Sequence, residues 1–165
     1  MADPLSVIAS LLAVATAGIQ STRSLKEAAQ RYKTRDSILR RLLEEVGDAE
    51  NILSALKQLL QADTLQPAVE ADISMAALLR RPIERCSEVC GEFEKAMEQF
   101  SKKSKTGFLD WTKMEFMRGD INQFLDTVAG YKATISVGLG LLTMCVLPTL
   151  ANSVLYAHMQ FLETS

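Results

Sequence analysis

Apolar residues recur at intervals of three and four along most of this chain, and that spacing restricts its fold more than any other feature. Leu39, Leu42, Val46, Ala49, Leu53, Leu56 and Leu60 keep to it through one segment. Ile83, Cys86, Cys90, Phe93, Met97 and Phe100 keep to it in the next, and Met114, Met117, Ile121, Phe124, Val128, Tyr131 and Ile135 in a third. At about 3.6 residues per turn, each set lines one face of an α-helix; a half-buried strand would alternate with period two. No period-two pattern persists. Charged residues such as Arg40, Glu44, Glu45, Asp48 and Glu50 fill the other faces, so each stripe must be buried against a neighbouring helix. The chain is therefore read as all-α: an up-down bundle of four long helices with an apolar N-terminal helix, and with room for an extra C-terminal one.

Breaks between these segments are few. Asp3-Pro4 offers a carboxylate at the N-cap followed by proline at the first helical position. Softer breaks fall at Lys33-Thr34-Arg35-Asp36 and Asp63-Thr64-Leu65-Gln66-Pro67, and the clearest loop runs from Ser101 to Gly107. Connections this short are expected to place consecutive helices side by side and antiparallel. The 165 residues suffice for one domain with a substantial core.

The first and last segments carry no charged face. In the first, Leu5, Ile8, Leu12, Ala15 and Ile19 form one stripe, and Val7, Leu11 and Val14 lie on another; no charge occurs between Pro4 and Thr22. A helix apolar all round is either central in a bundle or made for lipid. Ala9, Ala13 and Ala17, four residues apart, allow close helix approach in both settings. The spacing is equally compatible with either. The last segment, Ala133 to Leu162, also lacks Lys, Arg, Asp and Glu. It reads as a bundle helix with a kinked extension or as a membrane span, and Pro148 is expected to end or kink it. The division read from the sequence is a bundle over 1–140 and an apolar extension over 141–165. The opening is not read as a signal peptide, because Asp3 stands where a basic flank is expected.

Composition excludes several chemistries. One histidine rules out a two-His zinc site, and three cysteines rule out an even disulfide framework in a single chain. With a net charge of −2, no nucleic-acid partner is expected. Cys86 and Cys90 lie on an apolar stripe and, with Cys145, are read as core thiols. His158 has no patterned partner to orient it for catalysis. Glu27, Glu44, Glu45, Asp48 and Glu50 read as a solvated face. Gly138-Leu139-Gly140 lacks both a preceding strand and a third glycine. No enzyme signature, catalytic residue, cofactor site or metal site is found. Basic residues cluster after the first helix (Arg23, Lys26, Arg31, Lys33, Arg35) and in the loop (Lys102, Lys103, Lys105). Beside an insertable helix, such residues hold a protein on anionic lipid.

Met1-Ala2-Asp3-Pro4-Leu5-Ser6-Val7-Ile8-Ala9-Ser10 resembles the start of fungal N-terminal helical domains carried by STAND/NLR-type receptors. A second block comprises Asp110-Trp111, Phe116-Met117-Arg118-Gly119-Asp120-Ile121 and Ala129-Gly130-Tyr131-Lys132-Ala133-Thr134-Ile135. It looks like the fungal N-terminal domain named after azaphilone pigment cluster protein L, a group similar to HeLo-like domains.

The resemblance implies a non-enzymatic helical bundle of the cytoplasm. It implies self-association on an upstream signal from an NLR-type receptor, and relocation to the plasma membrane in regulated fungal cell death, a form of innate immunity. The N-terminal helix would then insert and permeabilise, carried by Leu5, Val7, Ile8, Leu11, Leu12, Val14 and Ile19. Lys102, Lys103 and Lys105 are the expected contacts to anionic lipid. The competing expectation is a soluble adaptor or oligomerisation module whose first helix never leaves the core. A third, small-molecule binding between the helices, rests on the family's name alone.

Overall fold

The computed structural model describes residues 3–31, 37–62, 73–103 and 115–163. Among the described residues there are four helices: α1 (Pro4–Gln30), α2 (Ser37–Leu60), α3 (Ile73–Lys103) and α4 (Glu115–Glu163). Asp3 occupies the N-cap of α1 with Pro4 behind it, but its carboxylate makes no capping hydrogen bond. Its backbone oxygen instead accepts from the Val7 amide at 3.1 Å. The stripes anticipated for α2, α3 and α4 form the core: all seven α2 positions are buried, as are Ile83, Cys86, Cys90, Phe93, Met97, Ile121, Phe124, Val128 and Ile135. Tyr131 is half-buried. Phe100 and Met117 lie in helix, but their side chains, like Met114 as a whole, fall outside the described residues.

Contacts between helices fix their directions. Gly18 faces Leu53, and Arg23 and Lys26 reach Glu50, so α1 and α2 are antiparallel. Gly18 also abuts Ile83, Ser21 meets Ser87 and Ser24 donates to Glu94, so α1 and α3 are parallel. Leu79 packs on Gly138 and Phe93 on Phe124, so α3 and α4 are antiparallel. Direction thus alternates along the chain, as an up-down bundle requires. The spatial order is not consecutive, however. α1 packs on α2 and α3, and α4 packs on the same two, leaving α1 and α4 on one diagonal and α2 and α3 on the other. Consecutive antiparallel neighbours were expected throughout, yet α2 and α3 sit across the bundle. The twelve residues from 61 to 72 are long enough to reach across, at up to roughly 3.3 Å each.

Two glycines set the closest approaches. A Cβ on Gly18 would stand 3.0 Å from Leu53 Cδ1 and 3.4 Å from Ile83 Cγ2, where α1 wedges between α2 and α3. A Cβ on Gly138 would collide with Leu79. Next to Gly18, the buried hydroxyl of Thr22 donates to the backbone oxygens of Gly18 and Ile19, so it needs no partner from another helix. Both prolines inside helices are accommodated at the surface. Pro82 and Pro148 leave the carbonyls of Leu78 and Met144 without an intrahelical donor, and both of those residues are exposed to water. Pro148 therefore does not end α4, which continues to Glu163 and runs unbroken across residue 140.

Candidate functional site: the apolar end of the bundle

α1 is embedded along one stripe. Ile8, Leu11, Ala15, Ile19, Leu25, Ala28 and Ala29 are buried, with Leu11 only 1% exposed. Of the residues expected to meet lipid, Ile8, Leu11 and Ile19 face the core, Val7, Leu12 and Val14 are half-buried on its shoulders, and Leu5 is exposed. The outward face is not a second bulky apolar stripe. Between Ser6 and Gln20 it consists of Ala9, Ala13 and Ala17, all exposed. Alanine has the highest helix propensity and exposes little apolar area, so this face suits water while carrying no charge.

The polar attachments of α1 are unevenly distributed. Among the described residues, its cross-helix hydrogen bonds and ion pairs lie between Ser21 and Lys26. Ser21 and Ser87 hydroxyls are 2.8 Å apart, Ser24 donates to Glu94 at 2.6 Å, and Arg23 and Lys26 share Glu50 at 3.0 and 3.4 Å. The half of α1 before Ser21 is held by apolar packing. Glu50 thus ties two helices, and Glu45, with Asp48, pairs with Lys132 of α4 at 2.8 and 2.9 Å. These carboxylates, expected to be merely solvated, are cross-helix anchors. Burial alone would lower the Lys132 pKa, but hydrogen bonds and attraction from Glu45 and Asp48 outweigh it and raise the value.

α4 outruns its partners. Leu142 is its last described buried residue; Thr143, Met144, Cys145, Leu147, Pro148, Ala151, Asn152 and Leu155 beyond it are exposed. Cys145 is thus no core thiol: α4 has already left the bundle there. Cys86 and Cys90 are in the core as expected. Cys90 is pushed upward in pKa by its hydrogen bond with Cys86, by burial and by nearby charge including Glu94, which keeps it a thiol. The side chain of His158 lies outside the described residues.

The exposed large hydrophobic residues gather where α4 emerges. Leu5 opens α1, Leu78 is in the second turn of α3, and Val137, Leu141, Met144, Leu147 and Leu155 follow one another on α4. The first turns of α1 and α3 lie together, because Ser6, Val7, Ser10 and Leu11 share a cleft with Ala76, Ala77 and Arg80. Leu79 packing on Gly138 brings α4 to the same end. Lys102 and Lys103 close α3 at the opposite end, about 40 Å away at 1.5 Å per residue. The basic residues and the apolar opening of α1 are therefore not brought together. Lys105 lies outside the described residues.

Elsewhere the surface offers little chemistry. A cleft of about 360 Å³ between α3 and α4 is lined by Val89, Glu92, Phe93, Ala96, Gln123, Phe124 and Thr127. Phe93 and Phe124 stack across it, their centroids 4.3 Å apart. Among the described residues, no group of three His, Cys, Asp or Glu side chains is placed to hold a metal.

A family model described as the N-terminal region of pigment biosynthesis cluster protein PigL matches residues 2–165. The chain belongs to the PigL N-terminal family. The match includes the distal part of α4, so the apolar run after residue 140 lies within the family's extent. No curated protein and no solved structure matches the chain. Sequence reasoning marked the segments of this PigL-type domain that lack charge but missed the grouping of Leu5, Leu78, Val137 and Leu141 at one end. Leu78 stands about 100° round the helix from buried Leu79, an apolar residue well off the stripe, and that was the available signal.

Proposed function

We propose that this chain is a non-enzymatic effector domain that self-associates and inserts the N-terminal half of α1 into a membrane. The setting is regulated cell death of the HeLo-like, fungal type, with an NLR-type receptor upstream and movement from cytoplasm to plasma membrane. One observation carries the reading: the solvent face of the first half of α1, at Ala9, Ala13 and Ala17, has no charge, whereas its second half presents Arg23 and Glu27 and α2 presents Arg40, Arg41, Glu44 and Asp48 to water. A bundle helix gains solubility from a charged outer face, so its absence is explained by a second environment in which charge is costly.

The unequal attachment of α1 supports the same reading. Removing Ile8, Leu11 and Ile19 from the core costs about 1.5–3 kcal/mol for each side chain in water. The sum approaches the whole stability of an ordinary domain, about 5–15 kcal/mol, so α1 stays docked in solution. Against lipid, those side chains are buried again and the opposing term largely vanishes. Ser21 to Lys26 then act as the pinned end about which the first half swings. The proposal places no weight on Lys102 and Lys103, which are remote from Leu5, and it makes anionic lipid an attractant of the surface at large.

A second reading, a soluble adaptor of an NLR-type receptor, is favoured by the single continuous stripe of α1, which a permanent bundle explains fully. Dye release from anionic vesicles by the parent chain and by Ala13→Glu separates the two. Ala13 is exposed, so the substitution leaves the bundle folded, whereas a charge mid-helix opposes insertion by about 3 kcal/mol, roughly a hundredfold. Release by the parent that falls in the variant is the expected result. Equal release by both, or none from the folded parent, defeats the insertion reading.

A further inference from the structure

We propose that the distal part of α4, from Thr143 to Leu162, is a bilayer-embedded anchor that seats the bundle end-on, with Leu5, Leu78 and Leu141 against the lipid surface. This goes beyond the insertion of α1 and does not depend on it.

Length, exposure and chemistry support this assignment. From 143 to 162 the helix extends about 30 Å at 1.5 Å per residue, the thickness of a hydrocarbon core. Thr143, Met144 and Cys145 point about 100° apart around the helix, and all three are exposed. The extension therefore has no covered side as it leaves the bundle. A partner helix would call for one apolar stripe and a polar remainder, whereas no charge occurs on any face from Ala133 to Leu162. A solvent that is apolar in all directions fits that pattern, and a bilayer is such a solvent.

Thr143, at the start of this segment, has its hydroxyl satisfied internally: it donates to the Leu139 carbonyl at 2.8 Å. Polar groups entering lipid need such partners within their own helix. Gln160 and Glu163 stand at the end of that length and so fall near the far interface. With α4 vertical, the opening turn of α1 already lies at the membrane surface, and the end of α3 at Lys103 lies far from it.

The test is flotation of the whole chain with uncharged phosphatidylcholine vesicles, beside a variant combining Met144→Arg, Leu147→Arg and Leu155→Arg. All three positions are exposed, and circular dichroism with a urea titration checks that the bundle is unchanged. The parent is expected to float and to resist alkaline carbonate, with at least a tenfold loss in the variant. A folded parent that stays at the bottom, or a variant that floats equally well, overturns the proposal. So does a parent that forms a soluble oligomer dissolved by the three arginines, since a second copy would then cover the stalk. The Ala13→Glu variant should float like the parent while losing dye release, so failure of the anchor and failure of α1 insertion give different results.

Discussion

Changing Gly138 to alanine sets two opposing effects against each other at the point where α4 leaves the bundle. Within a helix, glycine to alanine is worth about 1 kcal/mol in favour of folding. At Gly138 the new methyl would press on Leu79, whose Cγ branch point would lie 2.8 Å away and Cδ1 3.1 Å. Leu79 is itself buried at 3% exposure, so it has little room to turn aside. Overpacking of this kind costs about 1–3 kcal/mol. The packing cost wins, and Gly138→Ala should be destabilised by on the order of 1 kcal/mol. Gly130 supplies the control on the same helix, because nothing lies within 4 Å of its added Cβ. Gly130→Ala should gain the full propensity, about 1 kcal/mol. For a chain of this length each kilocalorie moves the midpoint by about 2–4 °C, so the two variants should shift Tm in opposite directions. Thermal and urea unfolding followed by circular dichroism read both. If Gly138→Ala is stabilised as much as Gly130→Ala, α4 does not pack on α3 at Leu79, and the anchor would not begin where it is placed here.

The remaining predictions concern how α4 and α1 are held. Lys132→Met should cost on the order of 1 kcal/mol at neutral pH, by breaking its links to Glu45 and Asp48. Because the folded-state pKa of Lys132 is raised, its contribution is complete below the ordinary lysine value and disappears as pH rises through the folded value. Urea midpoints of parent and variant should therefore converge in strong alkali, and a gap that persists there refutes the charge assignment. Pairing Ser21→Cys with Ser87→Cys, at hydroxyls 2.8 Å apart, should allow a disulfide that pins α1 to α3. Because Ser21 lies at the pinned end, the proposed insertion predicts equal dye release by the oxidised and reduced forms. Release that is blocked in the oxidised form and restored by reductant would show that α1 leaves the bundle whole and does not swing about Ser21 to Lys26.

The stripes at Leu39 to Leu60 and Ile83 to Met97 were legible because local periodicity and burial agree: a helix with one bulky apolar face can bury only that face. The lack of charge in α1 and in the last segment was equally plain, yet it did not specify an environment. In α1 the deciding fact is that alanines at 9, 13 and 17 turn outward while Leu11 and Ile19 turn inward, and only the neighbouring helices determine that division. Cys145 shows the same limit from the other side. Its sequence surroundings match those of a core thiol, but burial depends on whether a partner helix extends that far, and none of the described ones does.

The sequence alone determined that this is an all-α chain, because helix periodicity is set by spacing within one segment; its membership of the PigL N-terminal family rests on the family match over residues 2–165. Which helices became neighbours was decided only in three dimensions. Close approaches at Gly18 and Gly138 put α1 and α4 across one diagonal from each other and gathered Leu5, Leu78 and Leu141 at one end. Such proximity between distant segments depends on packing across the whole core, and no local pattern encodes it.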